Sequence, residues 1–108
     1  MIRDVITKYE SALESRDISA LKRIWPDLAG RQEAALRMEF QNARAIDVNL
    51  VGVGVRVAGT AATVSCQRNY RVTTADGKTL QTATQMTMTL DSRDGSWTIA
   101  NIQHEAIR

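Results

Sequence analysis

A long β-hairpin predicted over residues 61–90 constrains the fold of this chain more than any other stretch. Its two arms alternate apolar and polar side chains around the loop at residues 75–77, a pattern typical of half-buried strands. A two-residue Asp-Gly turn would leave the apolar sides of the arms on opposite faces of the sheet. A three-residue loop with Gly77 in a left-handed conformation places Cys66 across from Met86 and brings the apolar sides together. The hydrophobic pattern therefore selects the three-residue loop.

This register divides the hairpin into an inner face and an outer face. The inner face is apolar at one end and becomes polar toward the hairpin tip. Its expected cross-strand pairs are Ala62 with Leu90, Val64 with Met88, Cys66 with Met86, Arg68 with Thr84, Tyr70 with Thr82, and Val72 with Leu80.

The part of the chain before the strands predicts three helices. Apolar side chains recur at helical spacing over residues 2–15 and indicate one buried stripe. Asp17 is placed to cap a second helix, which must be short because Pro26 disfavours helical geometry at the residue before it. A third helix, rich in good helix formers, is expected over about residues 31–43.

From residue 45 the apolar period changes to two, which predicts a strand before the hairpin. The phase of the alternation reverses between Leu50 and Val51, beside Gly52, so we expect a bulge there. A two-residue turn at residues 59–60 would place four valines on the inner face. Their expected partners are Val57 with Ala62, Val55 with Val64, Val53 with Cys66, and Val51 with Arg68.

The last turn, at residues 92–95, leads into a fourth strand whose Trp97 and Ile99 continue the inner face. Ile102 is out of phase with them, so a second bulge is expected near Asn101. The sequence therefore predicts an α+β fold, with three N-terminal helices packed on a four-strand antiparallel meander. We expect one domain over residues 1–108.

Charge and composition argue against several classes of function. The net charge is only +2 over 108 residues, and the few aromatic residues are scattered, which disfavours nucleic-acid binding. Cys66 is the single cysteine and no Cys/His cluster exists, so no metal or cofactor is expected. Without a signal peptide or an apolar run near the ~20 residues of a membrane span, we expect a soluble protein, cytoplasmic by default. The first helix is expected to begin almost at residue 1, which indicates either a very compact protein or one domain of a longer chain.

Two short motifs resemble those of a known superfamily. Tyr9-x-x-Ala12-Leu13-x-x-x-Asp17 is similar to the opening helix and first bend of the NTF2-like superfamily. Residues 94–99, Asp-Gly-Ser-Trp-Thr-Ile, resemble the Asp-Gly-x-Trp-x-Ile of the last strands in its SnoaL-like branches. Many members place a hairpin or strand between the helices, and none is predicted over residues 16–43, so the resemblance is to a reduced version.

The resemblance implies a cystatin-like cone, in which a curved sheet wraps on helices and leaves a cavity open at one end. Members include isomerases and cyclases acting on apolar rings or polyketides, dehydratases, and non-enzymatic dimerisation or ligand-binding modules. Fold alone does not choose among these functions.

The polar interruption of the inner face is the candidate binding site. A buried arginine is costly unless it is paired, so Arg68 either reaches a cavity mouth or meets an acid or an anionic ligand. One interpretation is a pocket in which Arg68 and Tyr70 hold a carboxylate or carbonyl. The alternative is that the sheet extends past the helices and this end is solvated. The predicted lining comprises Arg68, Tyr70, Thr82, Thr84, Trp25 and Met86; Trp25 and Met86, like Tyr9, are better explained as core.

No catalytic group stands out. His104 would be the natural general base by its pKa, but it is expected in the phase opposite Trp97, where such a side chain is exposed. Asp17 is explained as a helix cap, and Asp47 should face solvent. No pair of acids and no nucleophile with a base emerges at a defensible spacing, so no catalytic residue is predicted.

The outer face of the hairpin is polar but nearly uncharged, with one arginine among twelve positions. A solvated sheet usually carries more Lys and Glu, which discourage association, and NTF2-like domains commonly dimerise through this face. We therefore expect a homodimer; the alternative is a solvated face rich in Thr for its β-propensity. The interface is predicted to include Thr63, Ser65, Gln67, Asn69, Gln85 and Thr87.

Together these patterns favour a non-catalytic module that dimerises, binds a small apolar or carboxylate-bearing ligand, or does both. The alternative is a small enzyme of the isomerase, cyclase or dehydratase kind acting on an apolar carbonyl compound. It would use Tyr70, Arg68 and an acid or His104 around the carbonyl.

Overall fold

The computed structural model describes residues 2–106 and consists of three helices followed by four strands. The strands form one antiparallel sheet in the order β1-β2-β3-β4. This arrangement confirms the predicted α+β fold. The elements are α1 (Ile2–Glu14), α2 (Ile18–Ile24), α3 (Gly30–Asn42), β1 (Ala43–Ala58), β2 (Ala61–Thr74), β3 (Thr79–Arg93) and β4 (Ser96–Ala106).

The helices begin and end where the sequence predicts. The carboxylate of Asp17 accepts a hydrogen bond from the Ala20 backbone N–H at 3.0 Å, which caps α2. The helix ends at Ile24, two residues before Pro26. Helices α1 and α2 bury their apolar stripes against the sheet, whereas α3 buries only Phe40. None of the described helices is long and apolar enough to cross a membrane.

The β2–β3 hairpin has the predicted register in every pair. Thr74 N–H donates to the Lys78 carbonyl at 2.8 Å, which closes a three-residue loop, and Gly77 has a φ of +88°. On the inner face Met86, Met88 and Leu90 are fully buried under α1 and α2. The core therefore occupies the end of the hairpin farther from the loop.

A bulge interrupts β1 between Val51 and Gly54, at the predicted place, and Gly52 there has a φ of +63°. The bulge changes the partners predicted for the residues that precede it in β1. Val55 and Val57 pair with Val64 and Ala62 as expected. Val51 instead pairs with Gln67, and Leu50 takes the predicted position across from Arg68, while Val53 lies in the bulge and does not form the predicted pair with Cys66. The prediction for Val51 was wrong because the extra residue shifts the phase of all preceding residues.

The valines beyond the bulge are not covered by the helices, although the sequence predicts a buried face. Val53, Val55 and Val57 remain 43%, 46% and 55% exposed. β1 is an edge strand, and a groove separates Val53 and Val55 from the first turns of α1.

The second predicted bulge is also present, since Thr89 pairs with Asn101 and Leu90 pairs with Ile99. Ile99 and Ile102 are therefore both buried. The same shift places His104 across from Met86, on the inner face. The expectation that His104 lies in the outward phase was wrong because the phase change at the bulge applies to every residue after it. Its side chain is nevertheless exposed, as expected.

Candidate functional site

A cavity of about 210 Å³ lies between the helices and the polar part of the inner face. It exists because α3 covers this region without filling it: Leu36 is only partly buried and Ala35 is exposed. The wall combines apolar residues with five polar or charged side chains, those of Tyr9, Gln32, Glu39, Arg68 and His104. The lining residues are Tyr9, Leu13, Leu21, Trp25, Gln32, Ala35, Leu36, Glu39, Arg68, Ile102 and His104.

Arg68 is the cationic group of this cavity. Its Nη1 donates to the Tyr9 hydroxyl at 3.0 Å, and its guanidinium carbon lies 4.4 Å from the centre of the Tyr70 ring. Its Nε is buried and has no hydrogen-bond partner among the described residues. No carboxylate within residues 2–106 forms an ion pair with this guanidinium. The partly buried guanidinium is thus left without a carboxylate at ion-pair distance, although Glu39 lies in the same cavity wall.

Both tyrosines near Arg68 are neutral hydrogen-bonding groups. Burial raises the pKa of Tyr9, although the Arg68 charge and hydrogen bond act to lower it. Because the Tyr9 oxygen accepts from Arg68, its own proton is available to another acceptor. The Tyr70 hydroxyl donates to the Glu39 carboxylate, and burial followed by this carboxylate raises the pKa of Tyr70.

His104 lies on the β4 side of the cavity. Its Nδ1 is 3.3 Å from Oγ1 of Thr84. Partial burial of the ring, followed by the positive charge of Arg68, lowers the pKa of His104 to about 4. Both causes disfavour the imidazolium, so the ring is neutral near pH 7 and one of its nitrogens is a proton acceptor.

The structure brings together some of the predicted lining residues and separates others. Arg68 and Trp25 line the cavity, and Tyr70 stacks beside Arg68. Thr84 contacts His104. Thr82 is exposed, and neither it nor the fully buried Met86 lines the cavity.

Sequence reasoning missed Tyr9 and Glu39 as cavity groups, and it named His104 only for the alternative function, an enzyme. Tyr9 was interpreted as core, which its burial supports, but its hydroxyl reaches Arg68 from a different element. His104 could have been assigned by carrying the predicted bulge near Asn101 forward to the following residues. Glu39 follows Ala35 by four positions on α3, so both lie on one side of that helix.

No group of three or more His, Cys, Asp or Glu side chains is placed to hold a metal ion in the part of the chain that the structure describes. Cys66 is buried, and burial raises the pKa of its thiol. Its sulfur is therefore protonated near neutral pH and unsuited to nucleophilic chemistry.

Comparison with known proteins identifies the family. Residues 27–105 match the model of the SnoaL-like domain. A proposed dehydratase of the NTF2-like family from Streptomyces avermitilis superposes with a TM-score of 0.84 at 18% identity, over 99% of this chain and 94% of that one. An NTF2-like superfamily protein from Salmonella enterica gives 0.81 at 16% identity, over 97% and 87%.

A proposed calcium/calmodulin-dependent protein kinase II association domain from Xanthomonas campestris superposes with a TM-score of 0.80 at 17% identity, over 98% of this chain and 87% of that one. At such identities the three likenesses establish the fold. No curated protein matches the chain.

Proposed function

The chain belongs to the SnoaL-like domain family of the NTF2-like superfamily, and from that premise we propose that its cavity binds a small apolar molecule bearing a carboxylate or carbonyl. The observation that carries this proposal is the state of Arg68. A partly buried guanidinium with an unpaired, buried Nε is costly in the absence of a partner. An anionic or strongly accepting ligand atom would supply the missing partner.

The other groups of the cavity support the same ligand chemistry. The Tyr9 hydroxyl, neutral and bonded to Arg68, provides a second donor beside the cation. Trp25, Leu21 and Ile102 supply apolar wall. A volume of about 210 Å³ is below the roughly 300–1,000 Å³ typical of pockets for drug-sized ligands, so a ligand of about one ring with its substituent is the best match.

Benzoate is a suitable probe, with benzamide as its neutral analogue. Because Trp25 lines the cavity, binding should change tryptophan emission and can be followed by fluorescence titration. We expect benzoate to bind more tightly than benzamide. Arg68→Leu should remain folded and weaken benzoate binding about ten- to a hundredfold, the equivalent of losing a charge-assisted hydrogen bond.

Arg71→Leu is the matched control, since Arg71 lies on the same strand but is exposed and pairs with Asp47 and Gln81. It should leave benzoate binding unchanged. Equal affinities for benzoate and benzamide, or equal effects of the two arginine variants, would contradict anion recognition by Arg68.

A second candidate function is proton transfer next to a carbonyl, as in an isomerase or dehydratase. The observation that favours it is the neutral His104 on the wall that Arg68 and Tyr9 share. Tyr9 and Arg68 would hold the carbonyl oxygen while the imidazole accepts a proton from the adjacent carbon. Deuterium incorporation into the methyl group of acetophenone in D₂O, measured by NMR, tests this reaction; His104→Gln should abolish it.

We also propose that the chain forms a homodimer through the outer face of the sheet. The six residues predicted for this interface are exposed or only partly buried in the monomer, and they carry no charge. A solution mass of two chains by light scattering, returning to one chain in Gln85→Lys, is the expected result. A wild-type monomer would contradict the proposal.

A further inference from the structure

The free edge of β1 has two halves that differ in how their backbone groups are satisfied. In the first half, side chains from α1 and the bend after it bond to the edge. Nη1 of Arg16 donates to the carbonyls of Ala43 at 2.7 Å and Arg44 at 3.0 Å. The Glu14 carboxylate accepts from the Val48 N–H at 3.3 Å. Glu10 likewise accepts from the backbone of Leu50.

Beyond the bulge no described side chain bonds to the backbone edge, from residue 51 to residue 58. This stretch has one charged residue, Arg56, and no proline. Its inner-face valines are about half exposed, although the side chains across from them on β2, Ala62 and Val64, are buried. The edge therefore lacks the covering side chains, clustered charges and proline that normally prevent another strand from adding to a sheet.

The covered half fixes which backbone groups the open half presents. Val48 and Leu50 direct their N–H groups away from β2, toward Glu14 and Glu10. Outward groups alternate along an edge strand, and the bulge adds one residue between Val51 and Gly54. The outward set therefore continues with Val53, Val55 and Val57, the same residues whose side chains are exposed on the inner face.

We propose that this open edge pairs with the same edge of a second copy of the chain, antiparallel about a two-fold axis at Val55. In this register Val55 lies across from the partner's Val55, and Val53 lies across from the partner's Val57. All three outward-directed residues then exchange backbone hydrogen bonds. The inner faces of the two copies join as a continuous row of valine pairs.

The charge of the edge is compatible with a second copy as the occupant. In the same register Arg56 lies across from the partner's Gly54, so the two arginines are not directly opposed. Glycine has no side chain to obstruct the arginine stem on the outer face. Strand pairing with like charges across from each other would be destabilising, and this register avoids it.

Space for the added strand is present on the inner side of the edge. A groove of about 260 Å³ separates the first turns of α1 from β1 and is lined by Arg3, Ile6, Thr7, Glu10, Val53 and Val55. The partner's valines would enter this groove and contact Ile6. The interface is distinct from the outer-face dimer proposed above, because it uses the edge of the sheet.

The test exploits the self-pairing of position 55. Val55→Lys and Val55→Glu each place two like charges across the two-fold axis, whereas an equimolar mixture places opposite charges there. Sedimentation equilibrium of the wild type should give an assembly whose mass halves in each variant and is restored in the mixture. Met38→Lys, which adds a charge at an exposed apolar residue of α3, is the matched control and should keep the wild-type mass.

Amide hydrogen exchange provides a readout that needs no variant. The N–H groups of Val53, Val55 and Val57 should become more protected as wild-type concentration rises, while Asn49 serves as an internal reference. A monomeric wild type, an unchanged mass in both charged variants, or a mixture that stays at half mass would overturn the proposal. A wild-type tetramer that becomes a dimer in both variants and recovers on mixing would support it alongside the outer-face interface.

Discussion

The two ends of the inner face of the β2–β3 hairpin differ in how they are packed. At the end near the β1–β2 turn, Val64, Met88 and Leu90 are fully buried beneath α1 and α2. Toward the β2–β3 loop, Arg68 and its neighbours face a cavity under α3. Backbone pairing is continuous through both ends, so the difference arises from the side chains and from the helix that covers each end. One face of a sheet can thus carry both a packed core and a cavity.

The helices explain why the cavity lies where it does. α1 contributes five buried residues and α3 contributes only Phe40. A helix that buries little apolar surface contributes little to stability, and it can cover a cavity without collapsing into it. The polar residues of the sheet occur under that helix.

The largest effect is expected from a truncation in the packed end. Met88→Ala should lower the free energy of unfolding by about 2–5 kcal/mol, because it removes buried methylene groups and leaves a void. Leu36→Ala on α3 is the matched truncation beside the cavity. It should lower the free energy of unfolding much less than Met88→Ala does. Urea denaturation measures both. Equal losses would mean that α3 is packed as tightly as the other helices.

An intermediate effect is expected from the hydroxyl that connects the two ends. Tyr9→Phe removes the acceptor of the Arg68 hydrogen bond and should destabilise the protein by about 1.5–3 kcal/mol, the range for hydrogen bonds to charged groups. Tyr70→Phe provides the comparison and should destabilise the protein less, because Glu39 is only partly buried and can hydrogen-bond to water instead. If Tyr9→Phe leaves stability unchanged, Arg68 is solvated and this end of the sheet is simply wet.

The smallest effect is a pH dependence from His104. Its pKa falls from 6.5 to about 4 in the folded chain, so between these values the unfolded chain binds a proton that the folded chain does not. The free energy of unfolding should therefore decrease as the pH falls through this window. Urea midpoints at about pH 7 and about pH 5 should differ less in His104→Gln than in the wild type. If His104→Gln shows the same decrease in stability as the wild type, groups other than His104 cause the pH dependence.

Much of the fold was predictable because it rests on local and nearest-strand information. The β2–β3 register follows from alternation and one glycine, and both bulges follow from a reversal of apolar phase. The effect of each bulge on more distant residues was harder to predict. Val51 and His104 were both assigned to the wrong face, because in each case a bulge separates the residue from those used to assign the face.

The candidate site was predictable only in its β2 part. Arg68 and Tyr70 stand out as polar residues in an apolar series, but Tyr9, Glu39 and His104 come from α1, α3 and β4. No sequence pattern specifies how closely α3 approaches the sheet, because that distance depends on which side chains fill the gap.

The sequence by itself determined the order of the elements, the register of the β2–β3 hairpin and the position of the polar interruption, because these depend on alternation, turn residues and helix caps within short stretches. Only the tertiary structure decided that the interruption faces a cavity and that half of the β1 edge is satisfied by α1 while the other half is open. Both outcomes depend on where the ends of helices lie above a sheet, a distance set by the packing of residues far apart in the chain.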